Sequence, residues 1–169
     1  MDAIDAILTR RSIRKYKKKT ISDDILQNLL RAAFHAPSAG NQQPWHFVIL
    51  DDRKILNVIQ TFHPSGKMLT EADKAILVCG DLDLEKFKGF WMIDCAAATE
   101  NILLAAHSLG IGACWLALYP RKDRVTGMRK LLHLPTHIIP FALISMGYPA
   151  EIKTRDERYN TSRIHLNMW

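Results

Sequence analysis

Apolar residues recur every three or four positions in four separate segments of the chain, which is the spacing of an amphipathic helix. The second segment has the clearest ends. Ser22 is a good N-cap residue, the two aspartates after it suit the helix dipole, and Pro37 stops the helix. The predicted helices are residues 3–9, the stretch between Ser22 and Pro37, residues 55–62 and residues 121–132.

Residues 91–109 form the longest predicted helix, and their pattern differs from that of the others. Apolar residues and alanines occupy almost every position, so this helix has almost no polar face. A helix that is apolar nearly all round is buried in a core or an interface. Gly110 follows it as a natural left-handed stop.

Four short apolar runs bounded by turn residues predict β-strands at 45–50, 75–80, 113–118 and 141–146. The polar stretches 37–44 and 63–67 predict loops. The tail has no helical period, yet it ends in Leu166, Met168 and Trp169. We therefore expect the tail to pack on something, such as another subunit.

The composition is that of an ordinary globular domain, with 169 residues, 48% hydrophobic and 24% charged. No repeat, low-complexity tract or linker divides the sequence, so we expect a single domain over residues 1–169. The formal net charge is +6, and residues 1–19 carry five of these six charges. The basic character is therefore local.

The segment Arg10–Lys19 contains seven basic residues and no acid, and three interpretations of it remain open. Its lysines suit a solvated turn. Nucleic-acid binding needs basic residues spread along a groove with aromatic rings to stack, whereas only Tyr16 lies nearby, so we expect no nucleic-acid partner. Paired arginines and a hydroxyl group at a helix or loop end suit a phosphate pocket. Such groups are Arg10, Arg11, Ser12 and Arg14.

Spacing argues against two other kinds of site. Gly110 and Gly112 lack the third glycine of a dinucleotide fingerprint, and they follow a helix and precede a strand, which is the reverse order. Pro135 stops the helix that would align His133 with His137, so we expect no metal site.

The three cysteines, Cys79, Cys95 and Cys114, lie among apolar neighbours and have no Cys-x-x-Cys spacing. We expect buried, unreactive thiols in a reducing cytoplasm. Asp2 and Asp5 interrupt the apolar run that a targeting segment needs. No apolar stretch approaches the roughly 20 residues that span a bilayer, so we expect no membrane partner.

The loop at 37–44, PSAGNQQP, holds small residues, a hydroxyl group and three carboxamides between prolines that stiffen it. Such a loop can bring backbone and amide donors close to a flat polar heteroaromatic ring. It is also compatible with an ordinary polar connection before a strand.

Six short motifs follow one another along the chain: RRSIR (10–14), PSAGNQQPW (37–45), GKML (66–69), DCAAATEN (94–101), LGIGACW (109–115) and GYPA (147–150). Together they resemble the FMN-dependent nitroreductase family, and their order and spacing match from residue 3 to the C-terminus. The chain is similar to the compact branch, which lacks a long insertion over the active site.

The resemblance implies an α+β fold. It is a three-layer sandwich in which helices flank a central, mostly antiparallel sheet, and it forms an intertwined homodimer with two FMN sites at the interface. The arm 151–169 would cross to the partner subunit and add an edge strand there. The helix at 91–109 would lie in the dimer core.

The resemblance also assigns cofactor-binding residues. Arg10, Arg11 and Ser12 match the phosphate and ribityl site, and Arg14 and Lys67 match the cations beside the pyrimidine edge of the flavin. The loop that reaches the flavin from the other subunit is Pro37, Ser38, Ala39 and Asn41. The strand that covers one flavin face and donates a backbone N–H to N5 is Trp115, Leu116, Ala117 and Leu118. In the tail, Arg158 and then Arg155 are candidates for further phosphate binding.

The implied activity is that of an FMN-dependent NAD(P)H oxidoreductase. No catalytic acid or base is expected, because the cofactor carries the hydride chemistry. In a ping-pong mechanism NADH or NADPH reduces FMN and leaves, and a small electron-poor acceptor such as a nitroaromatic or a quinone enters the same cleft. The alternative is a flavin-binding protein of the same fold that stores or fragments flavin without NAD(P)H turnover.

Overall fold

The computed structural model describes residues 1–154 and 157–169 of the chain. The helices within these residues are Ala3–Thr9 (α1), Asp23–Phe34 (α2), Arg53–Ile59 (α3), Trp91–Ser108 (α4) and Lys122–Leu132 (α5). The strands are Trp45–Leu50 (β1), Lys74–Asp81 (β2), Gly112–Ala117 (β3) and Ile138–Gly147 (β4). Short 3₁₀ helices cover Ala39–Asn41, Lys67–Thr70 and Thr161–Arg163.

The four strands form one sheet in the order β1-β2-β4-β3, and all neighbouring pairs are antiparallel. The central strand β2 is buried almost throughout, because both of its faces are covered. A strand buried on both faces needs no polar alternation, which is why it is an uninterrupted apolar run in the sequence. Strand β3 lies at one edge of the sheet.

Helices cover both faces of the sheet. Side chains alternate along β2, so Ile76 and Val78 face the layer of α2 and α4, and Leu77 and Cys79 face the layer of α3 and α5. This confirms the predicted three-layer α+β sandwich around an antiparallel sheet. All three cysteines are buried free thiols, as expected.

The ends of most elements lie close to the predicted ones. Ser22 caps α2 by accepting a hydrogen bond from the backbone N–H of Ile25, and Gly110 has a φ of +74° at the end of α4. Helix α3 is shorter than predicted and ends at Ile59, because the chain turns there. Phe62 then packs on Gly127 of α5 instead of continuing the helix.

Apolar side chains of α1, α4 and the tail are exposed to solvent in the single chain. The predicted apolar face of α1, with Ile4, Ile7 and Leu8, is exposed. Every described residue of the tail from 152 onward is exposed, and Trp169 reaches 103%. Helix α4 is mostly buried, but Ile93 is 60% exposed. These surfaces find no apolar cover within their own chain.

Among the described residues, no helix combines the length and the apolar character that crossing a bilayer requires.

Candidate functional site

The basic segment after α1 lies along the edge strand β3. Ser12 pairs with Ala113 in a parallel bridge, and the backbone N–H of Ile13 donates to the carbonyl of Ala113 at 3.0 Å. Gly112 permits this approach, since a Cβ there would lie 2.7 Å from Cγ2 of Ile13. The buried Tyr16 donates its hydroxyl to the carbonyl of Ile13 at 2.7 Å. The segment is therefore fixed to the sheet.

Arg10 and Arg11 line a cavity of about 330 Å³ beside α1, α4 and β3, which we call the arginine cavity. The Nε of Arg10 lies 3.3 Å from a carboxylate oxygen of Glu100, yet it is buried and makes no hydrogen bond. Arg11 is more fully occupied, because it donates to the backbone carbonyls of Leu8, Arg10 and Thr154. Arg10 thus has the greater free capacity for an anion.

Arg14 and Lys67 line a second cavity of about 500 Å³, which we call the Lys67 cavity. Glu151 and Lys153 line both this cavity and the arginine cavity, so the two adjoin. The Glu151 carboxylate pairs with Lys153 at 2.9 Å and accepts a hydrogen bond from the backbone N–H of Arg14 at 2.6 Å. These contacts lower the pKa of Glu151. Glu151 thus binds the backbone of Arg14.

A third cavity of about 270 Å³ lies between β3 and α5, and we call it the β3–α5 cavity. Arg14 lines it as well as the Lys67 cavity, so the three cavities follow one another and form one groove. The β3 residues that line it are Trp115, Leu116 and Ala117. Leu118, by contrast, is fully buried, and its backbone N–H donates to the carbonyl of Phe141 at 3.1 Å.

His63 and Arg124 also line the β3–α5 cavity, and no sequence motif pointed to either of them. Arg124 donates to the carbonyl of Ala117 at 2.8 Å, and Nε2 of His63 lies 3.1 Å from the same oxygen. Burial, followed by the positive charge of Arg124, lowers the pKa of His63. The imidazole is therefore neutral near pH 7. Because the carbonyl oxygen of Ala117 can only accept, the ring proton lies on Nε2.

The loop Pro37–Asn41 lies apart from the groove. Pro37, Ser38, Ala39 and Asn41 are all described, and none of them lines the three cavities. The buried Asp94 of α4 holds the loop by accepting from the backbone N–H of Ala39 at 2.9 Å and from the amide of Gln42 at 2.6 Å. Asp94 belongs to the DCAAATEN motif, but nothing in the sequence indicates its contact with this loop.

Of the two arginines predicted in the tail, Arg158 does not reach the groove within this chain. Arg158 is exposed, lines none of the three cavities, and donates its backbone N–H to the side chain of Glu157 at 2.8 Å. Arg155 lies outside the described residues. The predicted residues that the fold brings together along the groove are therefore Arg10, Arg11, Arg14, Lys67 and Trp115–Ala117. Ser12 lies next to them, because it pairs with Ala113 of β3.

One cluster of possible metal ligands lies elsewhere. Asp81, Asp83 and His137 offer three ligand atoms within 4.8 Å of one another, and His46 pairs with Asp81 at 3.1 Å. In the sequence, His137 has a ligand-like spacing only to His133, because the two aspartates are more than fifty positions away. None of these residues lines the groove.

A family model, curated proteins and solved structures that are similar to this chain carry nitroreductase names. The family model described as "Nitroreductase family" matches residues 7–81 and 63–148. A protein of Methanothermobacter thermautotrophicus, provisionally named NADH dehydrogenase/NAD(P)H nitroreductase, is 48% identical over 169 residues, which cover 100% of this chain and 88% of that protein.

Two crystal structures extend the likeness to three dimensions. A protein of Parabacteroides distasonis with the same provisional name is 42% identical, has a TM-score of 0.95, and the match covers 99% of this chain and 98% of that one. A provisionally named nitroreductase of Desulfovibrio desulfuricans, solved in complex with FMN, is 28% identical with a TM-score of 0.86 over 100% and 98% of the two chains.

We predict that stability falls as the pH drops from 7 to 5, in part through His63. Its pKa in the folded state lies below the ordinary value of 6.5, so below pH 6.5 the unfolded chain binds more protons. His63→Gln keeps a donor toward Ala117 but cannot titrate. In urea unfolding at pH 7, 6 and 5, the free energy of unfolding should therefore decrease less in this variant than in the natural protein. An unchanged slope would contradict the prediction.

Proposed function

The chain belongs to the nitroreductase family, and on that premise we propose that it is an FMN-dependent oxidoreductase that passes electrons from NADH or NADPH to a small electron-poor acceptor. Relatives carry NADH and NAD(P)H in their names, and FMN is bound in one related structure. FMN, when bound, supplies the hydride chemistry. The residues of the chain have to bind the cofactor, orient it and admit the two substrates.

The observation that carries the proposal is the unused capacity of Arg10. A phosphate dianion is bound best by two or more charge-assisted donors. Arg10 and Arg11 share one cavity, and the buried Nε of Arg10 has no hydrogen-bond partner. Ser12 adds a hydroxyl-bearing residue between these arginines and Arg14. This donor set fits the phosphate end of FMN.

Arg14 and Lys67 fit the other end of the cofactor. They line the cavity next to the arginine cavity, and the side chain of Arg14 is not needed for its contact with Glu151, which uses the backbone. Fixed cations beside the pyrimidine edge favour a ring that has gained electrons. Arg14 and Lys67 would therefore help the bound cofactor to accept a hydride.

We infer a ping-pong order because one groove serves both substrates. The overall change with a quinone acceptor is NAD(P)H + H⁺ + quinone → NAD(P)⁺ + hydroquinone. The β3 residues Trp115–Ala117 border the cavity that shares no lining residue with the arginine cavity. In the proposal, the oxidised nicotinamide leaves this end before a nitroaromatic or a quinone enters it.

The functional unit in this proposal is a homodimer. The loop Pro37–Asn41 does not reach the groove of its own chain, although the family resemblance assigns it to the flavin site. The exposed apolar face of α1 and the exposed tail both lack cover. In a homodimer, the loop of the partner subunit would reach the groove of this chain, and the arm of this chain would pack on the partner. Both observations would then be explained. The free, buried cysteines support a location in the reducing cytoplasm.

The direct test is the visible spectrum of the purified protein followed by anaerobic titration with NADH and with NADPH. We expect a yellow protein whose flavin absorbance is bleached by at least one of the two and restored by a quinone. A flavin that neither nicotinamide bleaches would favour flavin storage or fragmentation and would contradict the proposed oxidoreductase.

Arg10→Ala is expected to weaken FMN binding at least about tenfold, since a hydrogen bond to a charged group is worth about 1.5–3 kcal/mol. Fluorescence titration of the apoprotein measures the change, and circular dichroism checks that the variant is folded. Lys17→Ala is the matched control, because it removes an exposed basic residue of the same segment that lies outside the groove. Equal affinities for the two variants would overturn the phosphate assignment.

Deletion of residues 155–169 is expected to abolish dimerisation and to reduce flavin occupancy in the same preparation. The physical reason is that the apolar residues Ile164, Leu166, Met168 and Trp169 of the arm are exposed in the single chain and would gain burial on another molecule. Light scattering coupled to size exclusion, read together with absorbance of the flavin, measures both effects. A truncated protein that stays dimeric would refute the arm exchange, and a stable yellow monomer would refute the link between dimerisation and flavin binding.

A further inference from the structure

The β3–α5 cavity holds an unassigned cationic group. Arg124 reaches from α5 to the end of β3, where its Nη1 donates to the carbonyl of Ala117 at 2.8 Å. Nε2 of His63 lies 3.1 Å from the same oxygen and 3.4 Å from Nη1 of Arg124. The guanidinium is therefore anchored by one of its donors, and its other donors are not needed for that anchor.

The charges in this cavity are unbalanced. Arg14 and Arg124 both line it, and within the part of the chain that the structure describes no carboxylate is found among its lining residues. Asp123, the neighbour of Arg124, is exposed and pairs with Arg121 at 3.6 Å. A guanidinium that is partly shielded from water, without a carboxylate beside it, favours an anionic ligand.

Two buried polar atoms in the cavity also lack partners. The Nε of Arg124 is buried without a hydrogen bond, and so is Nδ1 of His63, a residue that is only 1% exposed. Buried polar groups in folded proteins are nearly always paired. The Nε–H of Arg124 is a donor that a carboxylate oxygen can complete. Nδ1 of His63 is an acceptor when Nε2 carries the ring proton, so a donor such as water, and not the carboxylate, would complete it.

We propose that the β3–α5 cavity is the subsite for a carboxylate group on the electron acceptor, with Arg124 as the residue that selects it. This rests on the proposed function, and it narrows the acceptor class to small aromatic compounds that carry an acidic group. The phosphate of FMN has its own arginines in a different cavity of the groove. The carboxylate of an acceptor would lie beside Trp115–Ala117, the strand that the resemblance assigns to the flavin face.

His63 acts as a positioning residue in this proposal. Its Nε2–H shares the Ala117 carbonyl with Arg124, so the ring limits where the guanidinium can lie. Burial and Arg124 keep the ring neutral by lowering its pKa. The positive charge that selects the carboxylate is therefore that of Arg124 and not that of His63.

The first experiment uses the flavin-loaded protein and two acceptors of nearly equal shape, 4-nitrobenzoate and 4-nitrobenzamide. Each takes up two electrons and two protons to give the nitroso compound and water, so only the acidic group distinguishes them. We expect Arg124→Gln to lower the ratio of kcat/KM for the benzoate over the benzamide at least about tenfold. Arg124→Lys, which keeps the charge but loses the fork of donors, should give an intermediate ratio.

Lys122→Gln is the matched control, since it removes one positive charge from an exposed residue of the same helix that does not line the cavity. Its ratio should equal that of the natural protein. A general effect of net charge would move the ratios of Lys122→Gln and Arg124→Gln alike and would overturn the proposal. An unchanged ratio in Arg124→Gln would overturn it as well.

A binding measurement keeps the subsite separate from turnover. Benzoate and benzamide are titrated by calorimetry into the purified protein and into Arg124→Gln, each checked for its unfolding midpoint. Tighter binding of benzoate that is lost in Arg124→Gln supports the subsite even if neither nicotinamide reduces the flavin, in which case only the proposed function fails. Equal binding of the two probes overturns the subsite. Loss of FMN from Arg124→Gln with the preference unchanged would assign this guanidinium to the cofactor instead.

Discussion

Arginines held side by side at the end of α1 repel one another unless an anion lies among them, and this constraint governs the whole site. Glu100 approaches Arg10 at 3.3 Å but forms no hydrogen bond with its buried Nε. Arg11 is occupied by backbone carbonyls. In the proposed function, the phosphate of FMN is the anchor here, and its oxygens accept from the Nε of Arg10 that Glu100 leaves without a hydrogen bond. The rest of the groove extends from that anchor along β3.

The fold serves this anchor by fixing a basic segment to the edge of a rigid sheet. A glycine at position 112 lets Ile13 approach β3, and the buried ring of Tyr16 ties the far end of the segment to the core. While α2 and α4 cover one face of the sheet and α3 and α5 the other, the groove lies at the edge beside β3. Helix α5 then brings Arg124 to the end of that strand.

The helices and strands were predictable because burial leaves a periodic trace in the sequence. The double-sided burial of β2 produced an unbroken apolar run, and Ser22 and Gly110 marked helix ends through their own backbone chemistry. The arginine cluster was predictable for a similar reason, since its members are neighbours in the chain. His63 and Arg124 were not, because they stand 61 positions apart and only the packing of α5 brings them together.

The outward direction of the apolar face of α1 could not be read from the sequence either. Periodicity shows that Ile4, Ile7 and Leu8 share a face, but it cannot say whether their own chain or another molecule covers it. The same holds for the loop at Pro37–Asn41, whose clamp by Asp94 depends on the position of α4. Both features concern contacts between distant segments or between molecules.

The measurement that tests the central claim most directly compares the affinities of the apoprotein for FMN and for riboflavin. The two ligands share the same ring and the same ribityl chain, and only FMN carries the phosphate. Two or more charge-assisted contacts at the arginine cavity predict at least about 100-fold tighter binding of FMN. Equal affinities would mean that the arginines bind no phosphate, which would contradict the proposed role of Arg10 and Arg11 in FMN binding.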